Sequence, residues 1–429
     1  MAKPLKSSIS VLASKPDFHK AVDKLLAKTN EPCKPVNYRG APHLQSSKYH
    51  LLHEEEQHLA DYLAFLAQTS PDPFRVSAVT IEESSTPPSL CIRLAANKTP
   101  ASTTVTGLRS CLNTVEEFAR TGTNRDGHES TLLNQVIELS KSRLHSRIRS
   151  QQALDGEWSC EKYKKPLHAR IQSLQDSFNT QPSELKESIR PLAAKLSHLI
   201  ETLTSIDAGS DSEQTKLLRE AILSSHAVST IAGSPLLEHY LDSLGFGDKI
   251  TQRGTVPAID KISQYLDVCT YLLDICRKAD CQPLFCNITL EALTAPPASH
   301  PNGATSKYYV HGEIQLVLYY EQHPREPAPR CIGASKSACF LCDLFLNKHG
   351  QFHISHSHKR VYGQWTVPEE LWMAESHART EKLDNILKDM SCEISDLAKM
   401  WKGSPKHEDH GAESRVHLLV LPKAIRLVD

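Results

Sequence analysis

The stretch HGEIQLVLYYEQHPREPAPRCIGASKSACFLC, from His311 to Cys342, decides how the rest of the chain is read. Cys339 and Cys342 stand three residues apart, so on a helix they share a face and their sulfurs can meet on one ion. A helix that begins near Cys339 turns the positive end of its dipole towards these sulfurs and favours thiolate, the form that binds metal. A lone pair of this kind can be accidental. The stretch adds His311-Gly312-Glu313, and 25 residues lie between Glu313 and Cys339, room for a helix, a turn and a strand returning to the same end of a sheet. His311, Cys339 and Cys342 then offer three ligands for zinc. The fourth tetrahedral position stays open, as in catalytic rather than structural zinc sites. Glu313 is not needed as a ligand, and its carboxylate suits a proton shuttle beside that open position.

Working outward, the order is a helix from His311, a strand near Cys331–Ala334 and a helix from Cys339, an alternation that favours an α/β domain. Upstream, Ile259–Cys276 carries apolar residues along one helical stripe, and a strand-like run, Leu284–Leu290, follows it before a Pro/Gly/Ser loop at 296–306. Downstream, 352–367 is mixed, an amphipathic helix runs from about Leu383 to Trp401, and Val416–Leu421 reads as a final strand. A zinc domain over 258–425 is the expectation. Ahead of it, 1–45 reads as a weakly ordered lead-in. Residues 46–250 read as a mainly α-helical accessory region, with helices over Leu51–Ala67, Leu132–Ile148, Leu185–Leu203, Thr215–Ile231 and Leu236–Leu244 and a β-hairpin near 74–94. No repeat period announces a solenoid.

Composition bounds the function classes. The 429 residues, 39% hydrophobic and 23% charged, make an ordinary soluble chain of two or three units. No run approaches the roughly 20 apolar residues of a membrane span, and MAKPLKSSISVLASKPDF lacks the apolar centre of a secretory signal. A cytoplasmic or nuclear protein with reduced thiols is expected, its twelve cysteines being too sparse for a disulfide scaffold. A net charge of −1 excludes a uniformly basic nucleic-acid-coating protein but not a local basic patch.

An H-x-E followed by C-x-x-C is the signature of zinc base deaminases. The words HGEIQLVLYYEQH, CIGASKSACFLCDLFL and SHKRVYGQW resemble a fungus-expanded family of predicted deaminases in the cytidine deaminase-like superfamily. That family's pattern is a His-Ala-Glu helix, a Gly-x-Ser-Lys turn before Cys-x-x-Cys, and a downstream Ser-His and Trp. The resemblance covers roughly 258–425 and is strongest over 308–367. It implies a three-layer α/β/α fold, Zn2+ held by His311, Cys339 and Cys342, Glu313 as proton shuttle, and substrate contacts from Asn287, His358 and Trp365. Gly312 replaces the usual Ala or Pro, and Ala338 the Pro common before the first Cys; neither removes a functional side chain.

The implied activity is hydrolytic deamination of a cytosine- or adenine-type base, in a nucleotide or in single-stranded DNA or RNA. A non-catalytic interaction protein keeping a structural zinc site is the alternative, and a fourth ligand from Cys331, His353, His356 or His358 would mark it. A nucleic-acid binder acting through the helical region alone is a third. Lys336, Lys348, Lys359 and Arg360 could face phosphate, and Tyr362 and Trp365 could hold a base, although solvated charges and core aromatics are the plainer readings. The run His53-Glu54-Glu55-Glu56-Gln57-His58 looks like a metalloprotease helix, but its histidines lie five apart rather than four, and a solvated helix is expected. The basic run from Lys141 to Arg149 also reads first as a solvated helix face.

Overall fold

A computed structural model describes residues 14–38, 48–72, 75–149, 151–154, 157–160, 165–208, 213–246, 254–298, 307–368 and 377–403. The expected strand at 416–421 and most of the 296–306 loop lie outside them. In chain order the elements begin with α1 (Lys15–Leu26), β1 (Val36–Asn37), α2 (His53–Ala67), β2 (Ser77–Ser85) and β3 (Pro88–Ala96). Then come α3 (Ser102–Thr121), α4 (Arg125–Arg149), β4 (Gln151–Leu154), β5 (Glu157–Cys160), α5 (Leu167–Phe178), α6 (Ser183–Ala208), α7 (Gln214–Ser229) and α8 (Leu237–Ser243). The remainder is α9 (Thr255–Ile275), α10 (Gln282–Phe285), β6 (Ile288–Ala292), α11 (Gly312–Gln322), β7 (Gly333–Ala334), α12 (Phe340–His349), β8 (His356–Ser357) and α13 (His377–Met400).

One four-stranded sheet organises these elements, in the order β6-β3-β2-β7. β2 and β3 form the hairpin that the alternating pattern predicts, pairing from Ser77 with Ala96 to Ser85 with Pro88. β6 lies parallel to β3, and the two-residue β7 closes the other edge against Ala78 and Val79. The sheet therefore takes both central strands from 77–96. A boundary near 250 does not separate the zinc segment from an accessory region, because the strand-poor segment 307–368 has no sheet of its own to pack on. The helices α3 to α9 are instead an insertion between β3 and β6.

Alternation along the strands divides two cores. Val79, Ile81, Leu90, Ile92 and Leu94 face α2 and the inserted helices, sharing a cluster with Leu63, Val115, Val136, Ile222 and Ile262. Ala78 and Ala95 face the other way, onto Ile314 and Val317 of α11 and through them α12 and α13. Small residues on this face let α11 approach closely: a Cβ on Gly312 would lie 3.1 Å from that of Ala78. That approach gives a reason for glycine where the related pattern has alanine. Gly333 is tighter still, since a Cβ there would meet the Ala60 carbonyl carbon of α2 at 2.0 Å.

Two expectations change. Part of the lead-in is α1, whose Phe18, Ala21, Val22 and Leu25 are buried against α13. The helix carrying His53–His58 is not solvated: sandwiched between the sheet and the insertion, it buries His53, Glu56 and His58. Its Glu56 carboxylate receives the Arg330 guanidinium at 2.6 Å and the backbone N–H groups of Arg330 and Cys331, which satisfies a charge that burial would otherwise expel. α13 follows its predicted stripe, with Leu383, Leu387, Met390 and Ile394 buried.

Candidate metal centre

Two helix starts meet at one end of the sheet. His311 is the N-cap of α11 and Cys339 that of α12, both in extended backbone conformation, so each side chain projects from the positive end of its helix. α11 is anchored there by Asn97, just beyond β3, whose Oδ1 accepts the Gly312 N–H at 3.1 Å, and by Gln315, which donates to Ala96 O and Val310 O, each at 2.8 Å. The loop 352–367 holds α12: Ala338 donates to His356 O and His358 to Ala338 O, each at 3.0 Å, while Phe340 donates to Arg360 O at 2.9 Å.

His311 Nδ1 thereby lies 3.7 Å from Cys339 Sγ and 3.4 Å from Cys342 Sγ, and the three candidate ligand atoms all fall within 4.8 Å of one another. The sulfurs carry donors suited to thiolates: the Cys342 backbone N–H reaches Cys339 Sγ at 3.3 Å, and Trp365 Nε1–H reaches Cys342 Sγ at 3.3 Å. Burial alone would raise the Cys339 thiol, but hydrogen bonding with Cys342 and the positive charge of His311 hold it well below the ordinary thiol range. Burial and the neighbouring Cys339 thiolate push Cys342 up. The His311 imidazole, which burial pulls down, is raised overall by Cys339. Glu313 is 3% exposed, and burial raises its carboxyl against the lowering effect of His311.

A soft His-Cys-Cys donor set, its cysteines buried and its histidine half-buried, fits zinc. Among the described residues this is the single group of three or more such side chains close enough for one ion, and it has three members. The proposed fourth ligands are engaged elsewhere. Cys331 Sγ lies 3.3 Å from His53 Nε2, His353 packs its ring on His53, and His356 Nδ1 contacts Ser355 Oγ at 2.6 Å. His358 accepts the Arg360 N–H on Nδ1 at 2.9 Å, which leaves its proton on Nε2; burial lowers its pKa to about 4, so the ring is a neutral donor. The next residue, Lys359, has a φ of 57°, the left-handed region that a non-glycine side chain adopts at some cost.

The expected substrate contacts divide. His358 stays beside the group, its ring 5.7 Å from that of Tyr362, which is 6.3 Å from His311 and 38% exposed. Trp365 is not available to a base: it is 1% exposed, wedged between Phe18 and Phe345 with its indole N–H on Cys342. Asn287 is far off. It precedes Ile288, the partner of Leu90, whereas the metal group lies beyond Ala96 at the other end of β3, roughly 20 Å along the strand. Asn97 occupies the nearby position instead, and only the pairing of β3 against the α11 start reveals it. Of the basic residues, Lys348 pairs with Glu393, Lys359 with Asp343 and Arg360 with Glu31, so these three serve internal ion pairs.

Two helix starts bring an imidazole and two thiols together, with a buried acid two residues after the imidazole, in a group that could hold a metal ion. A family model described as OTT_1508_deam:-like deaminase matches residues 310–369, so this segment is similar to a deaminase family. The comparisons with curated proteins and with solved structures gave no match. Among the described residues no helix is long and apolar enough to cross a membrane.

Proposed function

We propose that the protein hydrolytically removes the exocyclic amine of a cytosine- or adenine-type base, using zinc held by His311, Cys339 and Cys342. The juxtaposition of these three with Glu313 carries the reading, and helices on both faces of the sheet support the three-layer α/β/α arrangement that the resemblance implies. When bound, zinc supplies a Lewis acid that makes water a nucleophile near neutral pH. Glu313, two residues after His311 and in hydrogen-bonding contact with Cys342, takes a proton from that water on a carboxylate oxygen. Its raised basicity suits this step. It would pass this proton to the ring nitrogen, then take the proton of the hydroxyl newly added to the ring carbon and hand it to the leaving amine, so the carbon keeps the oxygen as a carbonyl, the C–N bond breaks and ammonia departs. The burial of Glu313 keeps bulk water from competing for that proton. His358 Nε2–H and the exposed Tyr362 ring border the centre and suit a hydrogen bond to, and a face contact with, the base.

The substrate we infer is a base within single-stranded nucleic acid. The test is ammonia release from short single-stranded DNA and RNA against cytidine, adenosine and their nucleotides. Glu313→Gln should retain the metal and the fold while losing turnover by roughly 10²-fold or more. Stoichiometric zinc without ammonia from any of these substrates would favour the non-catalytic alternative. Faster turnover of free nucleosides would overturn the polymer and leave the chemistry.

A further inference from the structure

The basic run on α4 is not the plain solvated face that its composition suggests. Leu144 and Ile148 point into the core, which leaves Lys141, His145 and Arg149, spaced four apart, along one line of the helix. These three line a cavity of about 770 Å³ together with Thr69 from the α2–β2 connection and Thr103 and Thr104 from the first turn of α3. Cationic side chains, hydroxyl donors and the positive end of a 20-residue helix thus converge on one space. One acid, Glu138, also lines it, and its carboxylate is engaged by the Thr215 hydroxyl of α7.

The cavity is close to the metal centre by a short chain of contacts. Thr69 N–H and Ser77 Oγ both donate to Ala67 O, at 3.1 and 3.3 Å, and Ser77 N–H donates to Ser335 Oγ at 2.9 Å. Ser335 is four residues before Cys339, so Thr69 and the Cys339 sulfur are at most about 30 Å apart. More cations mark the interval. Arg143, on the same helix, donates to Ser70 O at 3.1 Å, and Lys336 follows Ser335. Burial first, and then the positive charges of Arg143 and Arg147, bring the Lys336 ammonium down to about 8, so these groups stand near one another.

We propose that this cavity is a phosphate-binding site for the backbone of a single-stranded nucleic acid whose target base reaches His311, Cys339 and Cys342. The delivery of a base rests on the deaminase reading; the binding of phosphate does not. Cations that run from the cavity through Arg143 to Lys336, three residues before Cys339, suit a chain of phosphates better than the single phosphate of a mononucleotide.

The experiment is fluorescence anisotropy of a labelled oligothymidylate, a strand without an exocyclic amine to lose, titrated with the full chain over a range of salt. Wild-type protein should bind, and its affinity should fall as salt rises. Lys141→Gln/Arg149→Gln should weaken binding roughly 25-fold at 0.1 M salt and flatten the log–log salt slope by about 1.4, the effect of two lost phosphate contacts at about 0.7 each. Lys20→Gln, at an exposed position of α1, should bind as wild type. Thermal melts report whether the double variant is folded. Independently of any variant, amide exchange across 138–149 in wild-type protein should slow when the strand is added. No binding by wild type at low salt, wild-type affinity and slope in a folded double variant, or unchanged exchange would each overturn the site. Thymidine monophosphate displacing the strand at equal phosphate concentration would overturn the polymer. Binding as expected with no deamination of any base would refute the reaction and leave this site standing.

Discussion

Replacing Trp365 by Phe separates two roles that the sequence leaves entangled, a face for the substrate base and a support for the metal ligands. The side chain is 1% exposed and packs against Phe18 and Phe345, so Phe preserves most of the contact. About three heavy atoms' worth of volume is lost, on the order of 40 Å³, which costs roughly 1 kcal/mol at ~24 cal/mol per Å³. The substitution also removes the Nε1–H donated to Cys342 Sγ at 3.3 Å. Losing a buried hydrogen bond adds about 1 kcal/mol. The metal-free variant should therefore be about 2 kcal/mol less stable in urea titrations. Zinc should be affected separately, because a donor to a ligand sulfur stabilises its negative charge: affinity should fall roughly 10- to 100-fold, measured by competition with a chromophoric chelator. Unchanged zinc affinity in a folded variant would refute the support role. Unchanged stability with a selective rise in KM would restore Trp365 as a substrate contact.

Other substitutions probe the same construction. Purified protein should carry about one zinc per chain, and Cys339→Ser or Cys342→Ser should lose most of it by metal analysis; full retention in both would remove them as ligands. Gly333→Ala should cost more than about 3 kcal/mol in denaturant titrations, because the added methyl meets the α2 backbone rather than a side chain that can swing away. Gly312→Ala, facing Ala78 Cβ at 3.1 Å, should be markedly milder. The Glu321 carboxyl of α11 is held down to about 2 by hydrogen bonding to His349 of α12 and Lys382 of α13. Its folded pKa lies below its unfolded one, so its contribution is present above about pH 4.5 and is lost as pH falls towards 2. Glu321→Gln should flatten the pH dependence of stability in that window, and an unchanged profile would show that the three helices do not depend on this ionic contact.

The approach of His311, Cys339 and Cys342 was legible in the sequence because its geometry is local. His311 and Glu313 share a helix start, Cys339 and Cys342 share another, and each pair is close in the chain, so residue type and spacing specify which side chains meet. Helix periodicity was legible for the same reason, as in Leu383, Leu387, Met390 and Ile394 of α13. What lies beneath the group was not legible. The two strands that carry it come from 77–96, more than 200 residues upstream in the chain, and an alternating hairpin does not say which helices it will support. Long-range pairing also decided Asn97 over Asn287, since both are asparagines beside β-favouring runs and only the parallel register of β6 on β3 puts one at the metal end and the other away from it. Trp365 and the helix His53–His58 show the same limit: the sequence leaves the indole open between base contact and core and reads the charged helix as solvated, whereas burial depends on what the rest of the chain lays against each. In this protein Phe18 covers one, and the inserted helices cover the other.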